Sequence, residues 1–136
     1  MKRLLFIVII IFLFIIVYSI SITPSYDTID ISAALKKART TLKDNQEIII
    51  FNSKNPFNFY DVFHRIDNIA DQKIYGILTK PDTTGAFPVI IGVAGSVGWG
   101  EHHYGYLERY ADMGFAVLTL HSFKSRSVKS TVGEQL

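Results

Sequence analysis

The sequence predicts an α/β fold: a small sheet of N-terminal strands and one βαβ unit, set behind a hydrophobic N-terminal helix. Three observations predict it. Between Pro88 and Phe123, two apolar runs flank a glycine-rich turn and a helix-like stretch; this is the order that builds a parallel strand pair. Ahead of them lie two shorter stretches rich in β-branched residues, "EIIIF" and "KIYGILTKP", the composition of strands. The chain also opens with 19 uncharged, almost wholly apolar residues, Leu4 to Ile22, behind Lys2 and Arg3.

That first run is close to the ~20 residues of a membrane-spanning helix and longer than the ~7–15 of a signal-peptide core. Residues 1–22 therefore read as a signal anchor. Ser19 and Ser21 place small residues at the spacing a signal peptidase cuts, so a signal peptide cleaved after Ser21 is the alternative. In both readings Lys2 and Arg3 stay cytoplasmic and the remainder faces outward.

Residues 23–46 read as a linker and a short helix. "TPSYDTIDIS" is polar and broken by Pro24. "ISAALKKARTTLKDN" suits a helix with Ser32 as N-cap and Ala33, Ala34, Leu35, Ala38 and Leu42 inside it. Residues 47–136 hold the main domain. Its first strand is Glu47–Phe51; "NSKNPFNFYD" reads as a loop, and "VFHRIDNIADQ" fits no single element. "KIYGILTKP" is a second strand ending at Pro81, and "DTTGAF" a turn. "PVIIGVA", Pro88–Ala94, is apolar on both faces, which predicts a central strand covered on both sides. "EHHYGYLERYADMG" is helical, with Tyr104, Leu107, Tyr110 and Ala111 on one stripe and Gly114 at the C-cap. "FAVLTLHSF" is a further apolar strand.

Composition narrows the function classes. The 136 residues suit one small domain. Apart from Lys2 and Arg3 the cations and the 12 acids balance, so nothing here makes a case for a nucleic-acid partner, which needs a clustered basic face. With no cysteine, disulfides and thiolate metal sites are excluded.

The chemistry concentrates in "GVAGSVGWG", Gly92–Gly100. Three readings compete. A nucleophile elbow is G-x-S-x-G between strand and helix; "AGSVG" has alanine in its first position. The only histidines after Ser96 are His102 and His103, on the helix leaving the turn, and His121, which ends the next strand; no later strand follows to supply the acid and then the His that the order demands. A dinucleotide cradle would use "GSVGWG" at a helix N-terminus, but the next strand ends in "HSFKSR" and not in an acid, leaving Arg126 for a 2′-phosphate. A Walker-type phosphate loop is excluded, since no G-K-[ST] follows. The third reading is an oxyanion loop, whose backbone N–H groups meet charge growing on a carbonyl oxygen.

At these residues the chain resembles the N-terminal part of dienelactone hydrolase-like α/β-hydrolases. The likeness runs from about Lys73 to Gln135. It is carried by "FPVIIGVAGSVGWG", the helix, "GFAVLTLHSFKSRSV" and "TVGEQ", against a family pattern of P-x-V-V-hydrophobic-H-G-S-G-G, G-[YF]-x-V-L, D-S-F-x-x-R-G-V and T-V-x-x-Q. The family's His before Gly is Ala94 here, its Asp before Ser-Phe is His121, and its Gly after Arg is Ser127.

The resemblance implies a partial α/β-hydrolase sheet and hydrolysis of a small carboxylic ester or lactone through an acyl-enzyme, without cofactor or metal. It implies that the backbone N–H of Ser96 or Val97 is the oxyanion donor, and that the nucleophile, acid and histidine lie beyond Leu136, so that this chain alone is inactive. Trp99 and Arg126 are candidates for the substrate side. Each also has a plain reading, Trp99 as a cover over the helix end and Arg126 as a loop charge. His102 and His103 read as capping or solvated residues, since neighbours on a helix diverge and make poor metal ligands. A further strand beside "PVIIGVA" is implied too; without it that edge invites association. A tethered non-catalytic binding module and a nucleotide-binding reductase domain are the rival function classes.

Overall fold

The computed structural model of the chain describes residues 9–16 and 28–132. Of the N-terminal apolar run, residues 9–16 form a helix, α1, with every side chain exposed. The rest of residues 1–22 lies outside the described residues. Among the described residues no helix is long and apolar enough to cross a membrane.

The remaining elements run α2 (Ser32–Arg39), β1 (Gln46–Lys54), α3 (Phe59–His64), a 3₁₀ turn (Ile66–Asn68), β2 (Asp71–Thr79), β3 (Val89–Val93), α4 (Glu101–Asp112), β4 (Ala116–Leu120) and α5 (Ser122–Ser125). The four strands form one mixed sheet in the order β1-β2-β4-β3. β1 and β2 are antiparallel over nine pairs, from Gln46–Thr79 to Lys54–Asp71. β4 is antiparallel to β2 and parallel to β3, with Ile91 opposite Leu118.

Several expectations need correction. The strands 73–81 and 88–94 read as a hairpin-like pair, but β4 lies between β2 and β3. Hairpin loops are usually two to five residues, and the connection from Lys80 to Pro88 is long enough to span an intervening strand. β3 is then an edge strand among the described residues and is covered on one face only. Val89, Ile91 and Val93 are 56%, 62% and 65% exposed. β1 runs three residues past Phe51 because "NSK" completes the ladder with Asp71–Lys73, and the segment beyond the loop folds into α3 and the 3₁₀ turn. α2 stops at Arg39, before Leu42, where the Thr40 and Thr41 hydroxyls bond back to the carbonyls of Lys37 and Ala38. Its start is held by Asp30, which accepts from the Ser32 amide at 2.9 Å and hydroxyl at 2.7 Å; Ser32 is the first helical residue and not the cap.

The linker is partly docked. Gln72, fully buried, accepts from the Ile29 amide (2.7 Å) and donates to its carbonyl (3.1 Å), as a buried amide must if its polar atoms are to be satisfied. The core forms on the face bearing Tyr75, Ile77 and Ile48, where Ile31, Leu35 and Ala38 of α2 pack. α4 ends as predicted, with Gly114 at φ 90° and its amide bonded to the Ala111 carbonyl.

Candidate functional site

β3 delivers the chain to a four-residue turn at its C-terminal end, where open α/β sheets place their sites. The Gly98 amide donates to the Gly95 carbonyl at 2.9 Å, and Gly98 has φ 76°, a backbone state that costs a glycine nothing. Ser96 and Val97 occupy the two central positions and are exposed. Their backbone N–H groups have no acceptor among the described residues. The Ser96 carbonyl accepts from the Thr131 amide at 2.8 Å, which ties the turn to the stretch after α5. No serine hydroxyl lies within hydrogen-bond reach of a histidine nitrogen among the described residues.

Trp99 covers the sheet. Its indole N–H donates to the Leu120 carbonyl at 3.0 Å, its ring stacks on Tyr104 (centroids 5.6 Å), and His103 meets it edge-on. Gly92 makes room below: a Cβ there would stand 2.8 Å from the indole and 3.2 Å from Leu107. The glycine inside β3 thus answers to packing.

Arg126 is committed elsewhere. Its guanidinium donates to the Ser122 carbonyl (3.2 Å), the Ser53 hydroxyl (3.1 Å) and the Lys54 carbonyl (3.0 Å), binding α5 to the end of β1. Partial burial lowers its pKa from the usual value. His103 caps α4, its Nδ1 accepting from the Gly100 amide at 2.9 Å, while His102 stacks beside it. No group of three metal-ligating side chains occurs among the described residues.

His121 is the residue that sequence reasoning passed over. It follows β4 directly, is buried, and lies between Tyr75 (centroids 5.1 Å) and Trp99 (6.1 Å). The Thr119 hydroxyl gives its hydrogen to the Ile77 carbonyl at 3.1 Å, so toward His121 Nε2, 3.5 Å away, it only accepts. Nδ1 is buried and has no hydrogen-bond partner among the described residues. Burial, helped by the Lys124 charge, lowers the His121 pKa to about 4, so the ring is neutral at pH 7. Its place as the first residue after an apolar strand was the available signal. Beside it a cavity of about 890 Å³ opens between α2 and α4, floored by Ile77, Val117 and Thr119, within the usual size of small-molecule sites. Trp99 and Arg126 are not among its lining residues.

No family model, curated protein or solved structure matches this chain.

Proposed function

We propose that the chain is the N-terminal part of a dienelactone hydrolase-like carboxylic ester or lactone hydrolase, held at a membrane by residues 1–22, that supplies the oxyanion-stabilising turn of the active site. One observation carries the reading: two adjacent amides, those of Ser96 and Val97, with no acceptor among the described residues, in a closed turn at the C-terminal end of β3. Backbone N–H groups fixed before reaction stabilise a developing oxyanion without reorganising. The resemblance expects a further strand beside β3, and among the described residues that edge of β3 is open. The nucleophile, acid and histidine then come from outside the described residues, and the chain alone gives no turnover.

The test begins with the message beyond the Leu136 codon. A frame continuing into G-x-[SC]-x-G, then Asp and His, supports the reading. In that longer enzyme, Ser96→Ala leaves kcat unchanged, since the side chain takes no part. Ser96→Pro, which deletes the amide at a turn position proline tolerates, or an amide-to-ester replacement at Val97 lowers kcat roughly 10²–10³-fold, as loss of one oxyanion donor does. If Ser96→Ala abolishes activity and neither amide change matters, the turn is not an oxyanion donor.

A second reading, a tethered binding module, is favoured by the cavity between α2 and α4 beside His121, whose buried Nδ1 has no partner among the described residues. A stop at Leu136 followed by unrelated sequence supports it. A nicotinamide nucleotide that leaves Trp99 emission unchanged removes the reductase alternative.

A further inference from the structure

The connection from β1 to β2 carries a group of apolar side chains that none of the described residues covers. Phe57, Phe59 and Phe63 are 73%, 81% and 75% exposed, and Tyr60 and Val62 are exposed as well. Large exposed apolar patches mark interaction surfaces. This one is hydrogen-bonded from within. The buried Asp61 carboxylate accepts from the Phe57 amide at 3.1 Å, and the Asn58 side chain accepts from the Asp61 amide at 3.0 Å. The Tyr60 and His64 rings meet at a tilt of 40° (centroids 4.5 Å), with the Arg65 guanidinium 5.1 Å from the Tyr60 ring centre. α3 thus turns its polar residue inward and its aromatic residues outward, the reverse of a helix packed on its own domain.

The position of this knob matters as much as its composition. It springs from Lys54 and returns at Asp71, which are joined by a 2.8 Å ion pair, with Lys54 Nζ also donating to the Ile69 carbonyl at 2.6 Å. The next residue of β2, Gln72, is the clamp that fixes Ile29. The chain leading from the N-terminal apolar run therefore enters the domain at the same end of the β1/β2 ladder from which the aromatic residues project. From Ile22 to Ile29 are seven residues, a reach of at most ~25 Å. A domain suspended from a bilayer by that tether presents this end to it.

We propose that the Phe57–Phe63 knob is a membrane-interface contact that seats in the headgroup region and fixes the orientation of the tethered domain. The proposal rests on the anchor reading of residues 1–22. Two features favour lipid over a protein partner. The knob is a projection and none of its apolar residues lines the cavity, so a deformable surface suits it. From Lys54 to Asp71 it carries two cations, Lys54 and Arg65, against three acids, Asp61, Asp67 and Asp71, a net formal charge of −1, so it has no basic patch and needs no anionic lipid. Aromatic side chains at headgroup depth are a general anchoring device.

The chain has no cysteine, so single cysteines report cleanly. Full-length Phe59→Cys and, as control, Thr83→Cys on the connection at the far end of β2 are labelled with an environment-sensitive fluorophore and reconstituted in phosphatidylcholine vesicles. The expected result is blue-shifted emission at position 59 that a headgroup-depth doxyl lipid quenches and aqueous iodide does not, with the opposite pattern at 83. Should the chain float with vesicles while position 59 behaves like 83, the contact is refuted and the anchor stands. Shielding of position 59 from both quenchers means a protein covers the knob, which also refutes it. Failure of the chain to float at all refutes the anchor, and the contact with it.

Discussion

β3 and β4 are neighbouring parallel strands of five residues each, and their sequences, "VIIGV" and "AVLTL", are equally apolar. Their fates differ. In β4, Ala116, Val117 and Thr119 are buried; in β3 none is, and alternate side chains stand in solvent. Among the described residues β4 has a strand on each side and β3 has one. Hydrophobicity thus describes what a strand can tolerate, and its place in the sheet decides what it buries. An apolar run licenses a strand; it does not say how many neighbours the strand has.

The sharpest way to break this comparison is to place the same charge on both strands. Val117→Asp buries a carboxylate with no partner and is expected to cost more than ~4 kcal/mol, enough to unfold the chain. Ile91→Asp, on the open face of β3, stays within about 0.5 kcal/mol of wild type. Urea unfolding followed by far-UV circular dichroism checks both, and equal losses would mean that β3 is covered.

A smaller effect arises where β4 ends. In the folded chain the His121 pKa lies near 4, against ~6.5 when unfolded. Between those values the unfolded chain binds the extra proton, so stability is full above about pH 6.5 and falls as the pH drops toward 4, by about 3 kcal/mol in total. His121→Phe keeps the ring stack and is expected to flatten that part of the pH–stability curve. An unchanged slope would place the acid sensitivity elsewhere.

Next comes the covered face of β3. Gly92→Ala pushes a methyl into Trp99 and costs ~1–3 kcal/mol, as overpacking does, with a red shift of Trp99 emission. Gly95→Ala, whose Cβ meets nothing within 4 Å, is the silent control. The smallest change in stability is expected from Ile91→Lys on the open face, within about 0.5 kcal/mol, yet it should suppress self-association, because a charge on an exposed edge blocks strand addition. Sedimentation velocity measures this, and unaltered association would clear the β3 edge of blame.

Much of the architecture was legible in the chain. The 101–112 helix, its glycine stop, the two apolar strands and the turn between them follow from spacing and from where glycine is needed. Strand order was not legible, because β2 and β3 are adjacent in sequence and their connection merely permits separation. At the candidate site, the glycines marked a turn whose two central amides have no acceptor among the described residues, but residue type alone did not show that Arg126 is spent on Ser53 and Lys54, or that Trp99 is fixed to the Leu120 carbonyl. His121 was visible as a letter; its missing partner was not.

By itself the sequence determined local things: periodicity made the helix, β-branched runs made strands, and glycine permitted a left-handed residue at position 98. These depend on a few neighbouring residues and on backbone sterics. Only the tertiary structure decided which apolar strand became interior, which imidazole lost its solvent, and which end of the ladder receives both the tether and the aromatic knob. Those outcomes depend on pairings between residues distant in the chain, such as Ile29 with Gln72 and Arg126 with Ser53, whose free energy comes from burial and hydrogen bonding that exist only after the chain has closed on itself.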